Sequence, residues 1–151
     1  MRVLMVCLGN ICRSPLAEGI LKSKLQAAGL DWEVDSAGTS GWHSGEGPDR
    51  RSVLIAEKYG IDITDQRSRK VRSIDYIDFD LIYAMDEQNY RDLLQLAADE
   101  ERRKIRMILN ESYPGENRSV PDPYWDDNGF EKVFQMLDKA CEIIVEKYSR
   151  G

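Results

Sequence analysis

Apolar residues along this chain follow two rhythms. Short dense runs (Val3 to Val6; Phe79, Leu81, Ile82, Tyr83; Ile105, Met107, Ile108, Leu109) read as buried strands, and Trp32, Val34 and Ser36 alternate with polar neighbours as a fourth strand, second in chain order. Between them the period becomes helical. Leu16, Ala17, Ile20, Leu21, Leu25 and Ala28 form one stripe that opens at Pro15 and stops at Gly29. A second helix is expected over residues 49–59, with Val53, Leu54 and Ala56 inward and Gly60 ending it. After a short turn at 73–77 and the third strand, Asp86 is placed to cap a helix running through Ala97. The last stripe, Phe130, Val133, Phe134, Leu137, Cys141, Ile144, Val145 and Tyr148, makes Cys141 a core residue. Strands alternating with helices imply an α/β fold, a parallel sheet covered on both faces. A site is then expected at the carboxyl ends of the strands.

The segments between these elements are polar. Residues 38–48 read as a surface loop holding Trp42 and the single histidine, His43, which is expected to be solvated. Residues 61–72 carry Arg67, Arg69, Lys70 and Arg72, read as a solvated basic face. Residues 99–104 and 110–119 are solvated connections.

The 151 residues are expected to form a single domain with its own core, 1–151. A net charge of −6 argues against nucleic acid or an anionic membrane as an obligatory partner. No apolar run is long enough to span a bilayer, and no signal peptide is expected. Three cysteines without framework spacing point to a reduced, cytoplasmic setting, and with one histidine they offer no zinc set.

The chemistry gathers in the stretch Val6-Cys7-Leu8-Gly9-Asn10-Ile11-Cys12-Arg13-Ser14-Pro15. A strand passing through a tight loop into a helix N-terminus turns amide N–H groups inward and adds the helix dipole, which suits an anion. Cys7 can attack, and the planar fork of Arg13 can grip two oxygens of a phosphate. Taken alone, Cys7 could be a small buried hydrophobe; the complete run is more specific. Gly9 permits an unusual backbone conformation, and Asn10 tolerates left-handed geometry and can brace the loop. Ser14 is expected both to cap the helix and to hydrogen-bond the Cys7 sulfur.

That stretch resembles the signature of the low-molecular-weight protein tyrosine phosphatases, and the similarity extends over essentially the whole chain. Asp35-Ser36-Ala37-Gly38-Thr39, Tyr83-Ala84-Met85-Asp86 and Val120-Pro121-Asp122-Pro123-Tyr124 are similar to later family segments and come in the same order. The resemblance implies a flavodoxin-like three-layer sandwich with a four-stranded parallel sheet in the order 2-1-3-4. It implies Cys7 as nucleophile, Arg13 and the amides of Leu8, Gly9, Asn10, Ile11, Cys12, Arg13 and Ser14 as the phosphate cradle, and Asp122 as general acid. Asn10, Ser14 and Ser36 would brace the loop, and Trp42, Tyr124 and Trp125 would wall the cleft. Cys12 would trap oxidised Cys7 as a disulfide, although on its own it reads equally well as a packing residue. Gln66 stands where many relatives are expected to have a bracing histidine.

Substrates would be phosphotyrosine proteins and small aryl phosphates, with inorganic phosphate as product and inhibitor and no metal or other cofactor required. Asp122 could also be a plain Pro-Asp-Pro turn, with Asp126 and Asp127 as rival acids. Two prolines stiffen its segment. Three rival functions compete with this one. Arginine phosphatases among bacterial relatives tend to carry threonine where this chain has Ile11. Thiol-coupled arsenate reduction needs an exposed cysteine pair, and only Cys141 remains. A silent phosphate-binding module would have no use for Cys7, Arg13 and Asp122 together.

Overall fold

A computed structural model describes residues 1–150. Four parallel strands, β1 (Arg2–Cys7), β2 (Glu33–Gly38), β3 (Leu81–Ala84) and β4 (Ile105–Met107), lie side by side in the order β2-β1-β3-β4. The helices are α1 (Arg13–Ala28), α2 (Arg50–Lys58), the single turn α3 (Asp75–Asp78), α4 (Glu87–Leu96) and α5 (Gly129–Tyr148).

Because strand side chains alternate, β1 feeds both layers. Val3, Met5 and Cys7 join the cluster under α1, α2 and α5, while Leu4 and Val6 join the one that Tyr76, Phe79 and Leu93 close from α3, its flank and α4. The flavodoxin-like sandwich and the strand order are therefore as expected. β1 pairs with β2 on one side and β3 on the other and is buried from Val3 to Cys7, so the loop leaving its carboxyl end rises from the middle of the sheet.

Several local expectations shift. Helix α1 begins at Arg13, two residues before Pro15, and no side chain caps it. The Ser14 hydroxyl is engaged with Cys7 and Asn10 instead, so Ser14 has one of its two expected roles. Leu54 is 52% exposed, not inward. With α2 starting at Arg50, the helical period turns Ser52, Ile55 and Ala56 toward the core and leaves Leu54 outside. Strand β4 stops at Met107. Ile108 and Leu109 are consecutive and both buried in one cluster, which alternating strand geometry forbids, so the chain tightens into a 3₁₀ turn at Ile108–Asn110. Residues 99–104 form a solvated 3₁₀ segment, and Asp86 caps α4 with a reciprocal Asn89 contact. No helix among the described residues is long and apolar enough to cross a membrane.

Candidate active site

The loop from Cys7 to Arg13 has its carbonyl groups tied to the surrounding scaffold. Cys7 O accepts from Thr39 N at 2.9 Å, Leu8 O from Ser40 N at 2.9 Å and Ile11 O from Asp49 N at 2.8 Å. Gly9 O accepts from the Ser68 hydroxyl at 2.9 Å. With these oxygens held outward, the N–H groups are free to serve the concave side, and Asn10 N points at Cys7 Sγ from 3.3 Å. The Ser14 hydroxyl reaches the same sulfur at 3.0 Å. Cys7 is only 3% exposed, at the bottom of the cleft.

Asn10 carries the loop's one left-handed residue, φ 56°. Its amide group donates to Ser14 Oγ at 2.8 Å and to Ser36 Oγ at 2.9 Å, and its carbonyl accepts from Arg69 N at 3.1 Å. Gly9 is not in that conformation. Its lack of a side chain matters because a Cβ would crowd the His43 ring at 3.1 Å. Gly38 has a stricter need: a Cβ there would lie 2.8 Å from Leu8 O.

The bracing extends beyond the expected residues. Ser36 donates to Glu18 Oε1 at 2.6 Å, and Lys22 donates to the other oxygen at 2.6 Å. Glu18 is 4% exposed, and burial pushes its carboxyl up against the opposing pull of Lys22 and Ser36. Arg69 is not on a solvated face. Its guanidinium bridges Asp35 at 3.0 Å and the fully buried Asp75 at 2.9 Å, which fixes the backbone N–H that holds Asn10. Gln66 does not join this network; it donates to Pro15 O at 3.1 Å.

Arg13 is 2% exposed and lies between two carboxylates. Nη1 donates to Asp86 at 2.7 Å and to Val120 O at 3.0 Å, and Nη2 is 3.7 Å from Asp122. Burial works against the guanidinium's charge, but Cys7, Asp86 and Asp122 more than offset it, and its pKa rises. Asp122 keeps its other oxygen on Tyr124 N at 3.0 Å, capping the turn Pro123–Trp125. It is the one acid of its segment beside Arg13. Asp126 accepts from Asn128 N at 3.0 Å, and Asp127 faces Arg51.

A cleft of about 270 Å³ opens above Cys7, with Ile11 and Cys12 in its lining and Trp42, His43, Tyr124 and Trp125 around its mouth. Trp42 and Trp125 are 82% and 88% exposed, so they stand as open rims rather than packed walls. His43 is not simply solvated. It lies over Gly9 with Nδ1 on Glu46 at 2.8 Å, and its polar partner is that carboxylate rather than Cys7. Cys12 is buried, and its thiol is pushed up to about 12, first by burial and then by the charges of Asp49 and Cys7. The arrangement can hold a tetrahedral oxyanion between a sulfur nucleophile and a carboxyl group, with a cation at its side.

The model of the low molecular weight phosphotyrosine protein phosphatase family matches residues 2–150. The chain belongs to that family. Low molecular weight phosphotyrosine protein phosphatase 1 of Drosophila melanogaster is 38% identical over 97% of this chain and 96% of its own. A protein tyrosine phosphatase from Entamoeba histolytica, solved with Hepes in its active site, superposes with a TM-score of 0.94 at 38% identity, covering 100% of this chain and 98% of that one. The structure of DARP, a Drosophila arginine phosphatase, superposes with a TM-score of 0.91 at 34% identity, covering 98% of each chain.

Several residues that the structure places around the loop carried little signal in the sequence. Asp86 was legible as a helix cap, but not as the partner of Arg13. Glu18, Ser68 and Arg69 carried no local signal beyond charge or polarity.

Proposed function

We propose that this protein hydrolyses phosphotyrosine in proteins and small aryl phosphates through a phosphocysteine intermediate. In this reading the Cys7 thiolate attacks phosphorus in line, and the bond from phosphorus to the tyrosyl oxygen breaks. Protonated Asp122 passes its proton to that oxygen as it leaves. The Asp122 carboxylate then takes a proton from the water that attacks phosphocysteine, releasing inorganic phosphate and restoring the thiolate. Arg13 and the inward amides of residues 8–14 hold the equatorial oxygens, more tightly as charge develops in the transition state. Inorganic phosphate, the product, competes for the same cradle. Trp42, Tyr124 and Trp125 receive the substrate ring.

One observation carries this reading: the loop's carbonyls are tied outward, while Asn10 N and the Ser14 hydroxyl converge on Cys7 Sγ beside an Arg13 held between Asp86 and Asp122. The reading further assigns the chain to one catalytic domain and to the cytoplasm, and gives Cys12 the role of trapping oxidised Cys7.

Arginine phosphatase is the second reading, favoured by the likeness to the Drosophila enzyme of that title. Against it, the bulky apolar side chain of Ile11 lines the cleft, which suits an aromatic ring better than a guanidinium. Paired peptides carrying phosphotyrosine or phosphoarginine decide between the two. The reading requires a much higher kcat/KM for the phosphotyrosine peptide and complete loss of both activities in Cys7→Ser with phosphate binding retained. A preference for phosphoarginine, or turnover by Cys7→Ser, contradicts it.

A further inference from the structure

The segment that carries Asp122 has few anchors of its own. It leaves the core at Val120, touches it again only at the buried Pro123 of the turn Pro123–Trp125, and re-enters it at Phe130, with Trp125, Asp126 and Asp127 in solvent between. Besides Arg13, which holds Val120 O and lies beside Asp122, one further side chain from a different element touches it at three points. The Arg51 guanidinium lies over the Tyr124 ring at 5.4 Å and over the Phe130 ring at 4.7 Å, and its Nη1 meets Asp127 Oδ1 at 2.5 Å.

Arg51 is itself aimed from the phosphate loop side. Asp49 takes Arg51 Nε on one oxygen at 3.0 Å and Nη2 on the other at 3.0 Å, a two-point grip that fixes the plane of the guanidinium. The same Asp49 caps α2 and donates its backbone N–H to Ile11 O, inside the Cys7–Arg13 loop. A continuous path therefore runs from Ile11 through Asp49 and Arg51 to Tyr124, whose N–H holds Asp122 Oδ1 at 3.0 Å.

We infer that Arg51 is a positioning residue that sets the Asp122 segment against the phosphate loop and so places the proton donor over the leaving oxygen. The inference rests on the reading of Asp122 as general acid. Its physical content is that Arg51 acts on proton delivery and not on phosphate binding. No phosphate-loop hydrogen bond uses its side chain, since the contact with Ile11 is made by the Asp49 backbone. The exposed Asp127 contact contributes least, because solvent screens it. The grip of Asp49 and the stacking on Tyr124 and Phe130 carry the effect.

The test measures kcat/KM for phenyl phosphate and para-nitrophenyl phosphate, plus inhibition by inorganic phosphate, in wild type, Arg51→Ala, Asp122→Asn and the double variant. Arg51→Lys, which keeps the charge but not the fork, serves if Arg51→Ala folds poorly. Misplacing a catalytic group by about 1 Å can cost ~10²-fold. Arg51→Ala is expected to lose roughly tenfold more on phenyl phosphate than on para-nitrophenyl phosphate, with phosphate inhibition unchanged. Adding it to Asp122→Asn should cost no further selectivity. If Asp122→Asn is selective for the better leaving group but Arg51→Ala impairs both substrates equally, or the two effects add fully, Arg51 does not position the acid. If Asp122→Asn shows no selectivity, the general-acid reading fails and the inference falls with it.

Discussion

Asp86 divides its carboxylate between two tasks: Oδ1 accepts from Asn89 N at 2.8 Å and closes the N-terminus of α4, while Oδ2 holds Arg13 Nη1 at 2.7 Å. A helix cap thereby fixes the orientation of a buried guanidinium. The pairing leaves Nη2 on the Asp122 side.

The two tasks separate on substitution. In Asp86→Asn the amide oxygen can still cap, so the melting temperature should change little, while Arg13 loses a charged partner. Loss of a well-placed transition-state contact costs on the order of 10²-fold in kcat, and the loss here should approach that. Asp86→Ala should add about 1 kcal/mol of instability from the missing cap. Thermal melts beside kcat for para-nitrophenyl phosphate check both. A large drop in stability without a drop in kcat for Asp86→Asn would reverse the assignment.

Asp122 is expected to show its role through the leaving group. Loss of a positioned general acid costs ~10²–10⁴-fold. Asp122→Asn should therefore be slow on phenyl phosphate and phosphotyrosine and less impaired on para-nitrophenyl phosphate, whose leaving group needs the proton less. The comparison belongs in kcat/KM, which reports steps through phosphoryl transfer to Cys7. Asp126→Asn should change little on either substrate, because the Asp126 carboxylate only accepts from Asn128 N. Equal losses on both substrates for Asp122→Asn, or a selective loss at Asp126, would contradict this.

Much of this was legible because the signals are local. The dense apolar run of β1, the stripe of α1 and the left-handed Asn10 each depend on neighbours a few residues away. Asp86 was legible as a cap for the same reason, since its partner Asn89 is three residues on. Its second partner, Arg13, is 73 residues away, and nothing in either residue's surroundings announces the pair. Arg69 failed the same way. A run of basic residues looks solvated until the fold brings Asp35 and Asp75 against one of them. Gly38 was read as part of a glycine-rich loop, whereas close backbone approach is what demands it.

Glu18 makes a pH-dependent prediction. Its folded pKa is raised by burial, so the folded protein holds the proton more tightly than the unfolded chain. The stability this gives is fully present below the unfolded carboxyl's pKa and is lost as pH rises through the folded value. Glu18→Gln does not titrate and keeps an acceptor for Ser36. The melting temperature of the variant relative to wild type should therefore be more favourable near pH 7 than near pH 4, the range of a free carboxyl. A relative advantage that grows on acidification would show the sign to be wrong.

Peroxide should inactivate the enzyme reversibly. Oxidation of Cys7 to the sulfenic acid, followed by condensation with the Cys12 thiol and loss of water, gives a disulfide that dithiothreitol reduces. The Cys12 thiol is pushed up to about 12, chiefly by burial, so its thiolate fraction is small near neutrality. Closure of the bridge should accelerate roughly tenfold per pH unit across the neutral range. Mass spectrometry of samples quenched between pH 6 and pH 8 follows it. Closure independent of pH, or equal recovery of Cys12→Ser and wild type after peroxide, would remove the protective role.

In the proposed mechanism phosphate passes through sulfur. Rapid acid quenching of wild type and of Asp122→Asn during turnover of para-nitrophenyl phosphate, followed by peptide mass spectrometry, tests it most directly. A phosphoryl group should be found on Cys7. It should accumulate further in Asp122→Asn, where water attack on the intermediate lacks its base, and be absent from Cys7→Ser. Steady turnover with no phosphoryl group on Cys7 in either protein, or one on another residue, would contradict the account.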